Sequence, residues 1–234
     1  MAADGSAGFR GAVIAFDLDG TLIDTAPDLI STLNWLLAEE GVAALRLDEA
    51  RPFIGRGARW LIERGYQAAG VPLEAGRIQP LFERFIARYN DHIADMSRPF
   101  PGMVPALEDL KAGGAKLAVC TNKLTRLSVN LLDALQLGYL FDAVIGADAA
   151  PAAKPDPRHL EAAIAAAGGS KDRAVMVGDA APDAGAARAA GVPLILVTFG
   201  YTETPVADLR PDIAIDRFDQ LPAACVRLLG ACGS

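Results

Sequence analysis

From Met103 to Leu229 the sequence alternates between short apolar runs and segments of helical periodicity, and this rhythm limits the chain to few folds. The apolar runs predict strands at 116–121, 143–145, 174–177 and 194–197, with a further short candidate at 213–215. An earlier run, 12–16, predicts the first strand. The intervening segments predict helices over 104–111, 125–135, 158–167 and 183–190, and a closing helix over 219–229. Near-continuous apolar strands joined by helices predict a parallel sheet buried on both faces. With 234 residues, 52% of them hydrophobic, the chain can bury such a core.

The stretch from Leu22 to Arg98 breaks the rhythm. It carries no strand pattern and predicts helices over 27–39, 48–53, 57–69 and 74–94, with Pro27 suited to a first helical turn. Pro99 and Pro101 then mark a break before the alternation resumes. The expectation is an α/β fold: a doubly wound parallel (Rossmann-like) sheet core with an inserted all-helical cap domain. The core takes residues 1–22 and 99–234, and the cap residues 23–98.

Composition removes several classes of function. A net charge of −7 argues against nucleic acid, which needs a basic face. No apolar stretch approaches the ~20 residues of a membrane span. Residues 1–10 are rich in Ala and Gly and read as a disordered leader, not a signal peptide. Cys120, Cys225 and Cys232 show no metal spacing and no paired framework, which suits reduced thiols in the cytoplasm. Nothing in the sequence reads as a dimer seam, so the oligomeric state stays open.

The first apolar run delivers Asp17-Leu18-Asp19-Gly20-Thr21. On an extended backbone Asp17 and Asp19 share a face. Two carboxylates at a buried strand end repel each other and lose hydration, and a divalent cation would compensate. A strand ending in a polar turn accounts for the pair equally well. Three further signals follow later strands: Thr121-Asn122, then Lys154 in Ala153-Lys154-Pro155, then Asp179 and Asp183 in Gly178-Asp179-Ala180-Ala181-Pro182-Asp183. Alone, Lys154 reads as a solvated lysine, Thr121 as a strand-end residue and Asp183 as a helix cap. Together, all stand at or just beyond carboxyl ends of predicted strands, where parallel sheets bind ligands. Carboxylates suit a hard cation, and a hydroxyl and an ammonium suit phosphate oxygens.

In order and type these residues resemble the haloacid dehalogenase superfamily, whose members are mostly phosphatases. Asp17 to Thr21 match its first motif, Thr121 the second, Lys154 the third, and Gly178, Asp179 and Asp183 the acidic motif. The resemblance covers nearly the whole chain, and the insert looks like the family's cap. Ile54-Gly55-Arg56-Gly57-Ala58, Arg98-Pro99-Phe100-Pro101-Gly102, Thr121-Asn122-Lys123 and Phe199-Gly200-Tyr201 are similar to the phosphoglycolate phosphatases within it. Ala180 departs from the Ser that bacterial members often carry there.

The resemblance implies a mechanism and a cofactor. Asp17 would be the nucleophile forming an aspartyl-phosphate, and Asp19 the general acid and base. Mg²⁺ would be held by the Asp17 and Asp179 carboxylates and the Asp19 backbone carbonyl, with Asp183 supporting metal-bound water or Lys154. Thr121, Asn122 and Lys154 would bind the phosphoryl group. Arg56 or Arg59 in the cap would read a substrate carboxylate, in competition with solvated roles for both. The implied partner is a small anionic phosphomonoester, 2-phosphoglycolate in particular, cleaved to glycolate and phosphate. Other small-molecule phosphatases and a sugar-phosphate mutase of the same superfamily stay open. A receiver-like phosphoacceptor module, also built on Asp, Thr and Lys, is opposed by Asp19 and by the length of the insert. A dehalogenase would lack an acid at position 19. His92 and His159 are expected on helix surfaces, Asp24 in a structural role, and Trp35 and Trp60 in packing.

Overall fold

The computed structural model describes residues 8–231, so residues 1–7 of the expected leader and Cys232 lie outside the described residues. Val13–Phe16 (β1) is wholly buried, consistent with an uninterrupted apolar run. The chain then forms a two-residue strand, Ile23–Asp24 (β2), and enters helices Ala26–Glu39 (α1), Leu47–Ala50 (α2), Ala58–Ala68 (α3) and Ile78–Asp91 (α4). It returns through a second two-residue strand, Arg98–Pro99 (β3), which pairs antiparallel with β2. Beyond it come Met103–Ala112 (α5), Lys116–Thr121 (β4), Thr125–Ala134 (α6), Ala143–Gly146 (β5), Pro157–Ala166 (α7), Ala174–Gly178 (β6), Ala181–Ala190 (α8), Leu194–Val197 (β7), Ile213–Ile215 (β8) and Leu221–Ala231 (α9).

The main sheet has six strands, all parallel, in the order β5-β4-β1-β6-β7-β8. Strand side chains alternate between its two faces. Val13, Ala15, Ala118 and Met176 pack with Leu160 and Ile164 of α7 and the alanines of α8. Ile14, Phe16, Val119 and Val177 pack on the other face with Leu107 of α5 and Leu221 of α9. This doubly wound arrangement places β1 at the centre, with the ends of β4 and β6 on either side of Asp17.

Two features of the insert depart from expectation. The stretch read as free of strands contains β2 and Arg98, the first residue of β3; in the ribbon they form, Ile23 faces Pro99 and Asp24 faces Arg98. Two residues are too few to show a period of two. The long helix expected from 74 is instead a 3₁₀ turn, Ala75–Arg77, followed by α4. Pro80 explains this: in a helix begun at 74 its ring would meet the carbonyl of Gly76, whereas in the first turn of α4 it is tolerated. Helices α1, α3 and α4 pack on one another through Leu33, Leu36, Leu37, Ile62, Leu81 and Phe85. Asp28 of α1 is buried and accepts hydrogen bonds from the N–H groups of Met96 and Ser97 and from the Ser97 hydroxyl, which pins the returning segment beside the departing one.

Candidate active site

The carboxyl ends of β1, β4 and β6 deliver Asp17, Thr121 and Asp179 to one place, as the strand order requires. The Asp17 N–H donates to the Val177 carbonyl at 2.9 Å, extending the β1–β6 ladder one residue past the strand. The chain then turns sharply at Gly20, whose φ is +87°. A Cβ there would come within 2.7 Å of the Tyr201 ring and 2.8 Å of an Asp179 oxygen, so the turn depends on glycine for both conformation and space.

Lys154 reaches the same point from the loop after β5, and the Lys154–Pro155 peptide is cis. Its Nζ lies 2.8 Å from Asp17, 2.7 Å from Asp183 and 2.6 Å from the Cys120 carbonyl, so each of its three N–H donors has an acceptor. Burial works against the charge on Lys154, but Asp17 and Asp183 outweigh it and keep the amine protonated. Asp17 is pushed up to about 6, first by burial, with Lys154 opposing and Asp183 adding to the rise. Burial, then Asp183 and Asp17, raise Asp179 well above the ordinary carboxylate range. Both Asp179 oxygens are held, one by the Thr21 hydroxyl and one by the Tyr201 N–H, each at 2.8 Å. Asp183, in the first turn of α8, accepts from the N–H groups of Asp179 and Ala180 at 3.1 Å. At Ala180 it is therefore the backbone that contributes to the site.

Asp19 faces different partners. Its carboxylate accepts from the Thr25 hydroxyl at 2.7 Å and from Lys123 Nζ at 2.9 and 3.0 Å. Lys123 is buried, and its ammonium stands 4.6 Å from the centre of the Tyr89 ring on α4. Sequence reasoning gave Lys123 no role. Its adjacency to Thr121-Asn122 was visible, but nothing local shows that it reaches back to Asp19. Asn122 ties three segments together: its side chain donates to the carbonyls of Gly55 and Lys154 and accepts from the Lys154 N–H.

Two expectations need correction or relocation. His159 is not on a helix surface: it is fully buried, its Nδ1 accepts from the Lys154 N–H, and its Nε2 faces the Ile145 carbonyl at 3.2 Å. Burial and the Lys154 charge push it down to about 4, so the ring is neutral. Arg56 and Arg59 line the cleft but stack on aromatic rings, Arg56 on Trp60 at 4.4 Å and Arg59 on Phe82 at 4.3 Å. Among the described residues neither is ion-paired with Asp17 or Asp19. Trp35 lies beside Arg84 and Arg88, and His92 at the end of α4 bonds Asp95.

These groups open onto a cleft of about 230 Å³ between the sheet end and helices α3 and α4. Asp17, Asp19, Thr121, Asn122 and Lys123 form its floor, and Leu61, Phe85 and Tyr89 belong to its cap wall. The site suits a hard cation. Asp17, Asp179 and Asp183 offer carboxylate oxygens that all lie within 4.8 Å of one another. Fully ionised, the four buried carboxylates would outnumber the two buried ammonium groups, Lys123 and Lys154; the raised Asp17 and Asp179 reflect burial and that excess, which a bound cation would offset. Isolated buried charge costs several kcal/mol per ion. The expected pair Asp17 and Asp179 is thus brought together with Asp183, while the Asp19 carboxylate turns to Lys123 and Thr25.

Comparison with known proteins agrees with this geometry. The family model of the haloacid dehalogenase-like hydrolases matches residues 14–197. The chain is 59% identical to the phosphoglycolate phosphatase of Caulobacter vibrioides, over 95% of this chain and 94% of that one. It is 44% identical to that of Agrobacterium fabrum, over 94% of each. A crystal structure described as a predicted phosphoglycolate phosphatase from Haemophilus somnus superimposes with a TM-score of 0.84 at 30% identity, covering 93% of this chain and 98% of the other. With its motif residues gathered at the end of a doubly wound sheet, and with these relatives, the chain belongs to the haloacid dehalogenase-like hydrolases.

Proposed function

We propose that this protein is a Mg²⁺-dependent phosphomonoesterase that works through an aspartyl-phosphate on Asp17, with 2-phosphoglycolate as its substrate. The observation that carries this reading is the contrast between two aspartates two residues apart. Asp17 is clamped to Lys154 within the carboxylate cluster. Asp19 is drawn aside to Lys123 and Thr25 on the cleft floor. One carboxylate is thereby fixed for attack and the other left to handle protons.

Asp19, which takes up a proton as the anionic substrate enters the cleft, gives it to the ester oxygen while Asp17 attacks phosphorus and the bond to that oxygen breaks. Lys123 is placed to hold the resulting Asp19 carboxylate. Asp19 then takes a proton from water as that water attacks the aspartyl-phosphate, which releases phosphate and restores Asp17. Lys154 and Asp183 keep Asp17 oriented, and Thr121 lines the space where the phosphoryl oxygens would lie. Asp17, Asp179 and Asp183 are the side chains that would hold magnesium or its water, beside the Asp19 backbone carbonyl. When bound, the cation neutralises the carboxylates and the charge on the transferring group.

The substrate assignment draws on the relatives' name and on cations of the cleft wall. Arg56, Arg59 and Lys123 all line it, which suits a small substrate with a carboxylate beside its phosphate. Among the described residues, 23–98 form the cap that closes over this substrate, and 8–22 with 99–231 the catalytic core. A screen of small phosphomonoesters with Mg²⁺, ranked by kcat/KM, should place 2-phosphoglycolate first. A flat profile would refute the substrate, and return of the phosphoryl group to a hexose phosphate would favour a mutase.

A further inference from the structure

Tyr201 connects the carboxylate cluster to the point where the chain enters and leaves its inserted helices. It follows β7 and is buried, with 3% of its surface exposed. Its N–H holds one oxygen of Asp179, and its ring lies against the Gly20 turn. The preceding residue is Gly200, where a Cβ would come within 2.2 Å of the Asp179 Cβ, so this loop and Asp179 are in intimate contact. At its far end the Tyr201 hydroxyl donates to Asp24 at 2.5 Å and accepts from the Ala26 N–H at 3.1 Å. Asp24 belongs to β2, which pairs with β3, so this one carboxylate marks both crossings between sheet and insert. Arg51, in the 3₁₀ turn after α2, completes the cluster: its guanidinium stands 5.3 Å over the Tyr201 ring and 3.6 Å from Asp24. Burial, and then the Asp24 carboxylate, hold the phenol firmly protonated, so it stays a donor.

We propose that Tyr201 is a positioning residue that links the seat of the β2–β3 ribbon, and with it the cap, to the orientation of the Asp179 carboxylate. The aromatic ring is a rigid strut. One end is fixed by one hydrogen bond to Asp24 of the ribbon and one from the Ala26 N–H at the start of α1, and the other presents the N–H that aims Asp179. With the ribbon seated, Asp179 faces Asp17 and Asp183. With the strut released, the Asp179 oxygen loses its fixed donor and the three carboxylates no longer converge as one site. The inference rests on the reading of Asp17, Asp179 and Asp183 as the metal site.

Calorimetric titration of the full-length, metal-free protein with Mg²⁺ alone tests it without reference to turnover. Tyr201→Phe keeps the ring, its packing and the N–H, and removes only the hydroxyl. It should raise the Mg²⁺ dissociation constant roughly 3- to 10-fold, the scale of a hydrogen bond's net contribution. Asp24→Ala, which leaves Tyr201 intact, should do the same. The double variant should be within about twofold of either single one, because both break the bond between Tyr201 and Asp24, the link on which the coupling depends. An unchanged dissociation constant in Tyr201→Phe, with only a lower thermal midpoint, would make the hydroxyl a purely structural contact and overturn the proposal. Full additivity in the double variant would overturn it as well. Failure of the wild-type protein to bind Mg²⁺ would instead refute the metal-site reading, and the proposal with it.

Discussion

Replacing Lys123 with methionine tests the division of labour between the two aspartates. The Lys123 ammonium lies 2.9 and 3.0 Å from the Asp19 oxygens, and the two side chains are 6% and 9% exposed. Lys123→Met preserves the length and packing of the side chain while leaving Asp19 charged in a buried place. Removing one member of a buried ion pair costs about 3–5 kcal/mol. Here Asp19 keeps the Thr25 hydroxyl at 2.7 Å and lines the open cleft, so part of the loss is recovered by water. The expected loss is about 2–3 kcal/mol, below that range because a charged hydrogen bond of about 1.5–3 kcal/mol persists. Urea unfolding of the metal-free protein at neutral pH measures it. In an Asp19→Asn background the same change should cost only about 1 kcal/mol, since no charge is stranded, which gives a clear coupling in the double-mutant cycle. Additive losses, or a Lys123→Met protein within about 0.5 kcal/mol of wild type, would refute the argument.

Other outcomes follow from the same geometry. Asp19→Asn should slow the first step for an alkyl phosphate far more than for p-nitrophenyl phosphate, whose leaving group needs little protonation; single-turnover rates for the two esters decide it. The His159 pKa is lowered to about 4 from an ordinary 6.5, so the unfolded chain binds the extra proton across that window. Its stabilising contribution is therefore full above pH 6.5 and lost as pH falls towards 4, and wild type minus His159→Asn stability, measured by urea unfolding between those limits, should shrink accordingly. Chelation with EDTA should abolish turnover and Mg²⁺ restore it, while Ca²⁺, which takes more ligands in looser geometry, should inhibit; phosphate release under each condition is the readout.

Much of the molecule was legible in the chain because a buried parallel strand announces itself as an apolar run. Asp17, Thr121, Lys154 and Asp179 group from the sequence alone, since each stands at or beyond the end of such a run and the sheet gathers its strand ends. What stayed hidden depends on contacts across long sequence separations. Lys123 reaches back 104 residues to Asp19, and Tyr201 reaches 177 to Asp24. His159 has a helical neighbourhood like that of a surface residue, and only the folded loop shows its ring bonding the Lys154 N–H. The β2–β3 ribbon is two residues deep, below the length at which alternation can be read. Arg56 and Arg59 were singled out for their charge, yet each spends that charge on an aromatic neighbour, a pairing that requires knowing which helix faces which.

The covalent role of Asp17 is the central claim, and acid quenching during turnover tests it most directly. Enzyme mixed with Mg²⁺ and 2-phosphoglycolate should be trapped in part as an acyl phosphate, and peptide mass analysis should place the phosphate on Asp17. Hydroxylamine should release it, and Asp17→Asn should neither label nor turn over while still folding, with activity lower by several orders of magnitude. Phosphate found on another residue, or near-wild-type turnover by Asp17→Asn, would contradict the account.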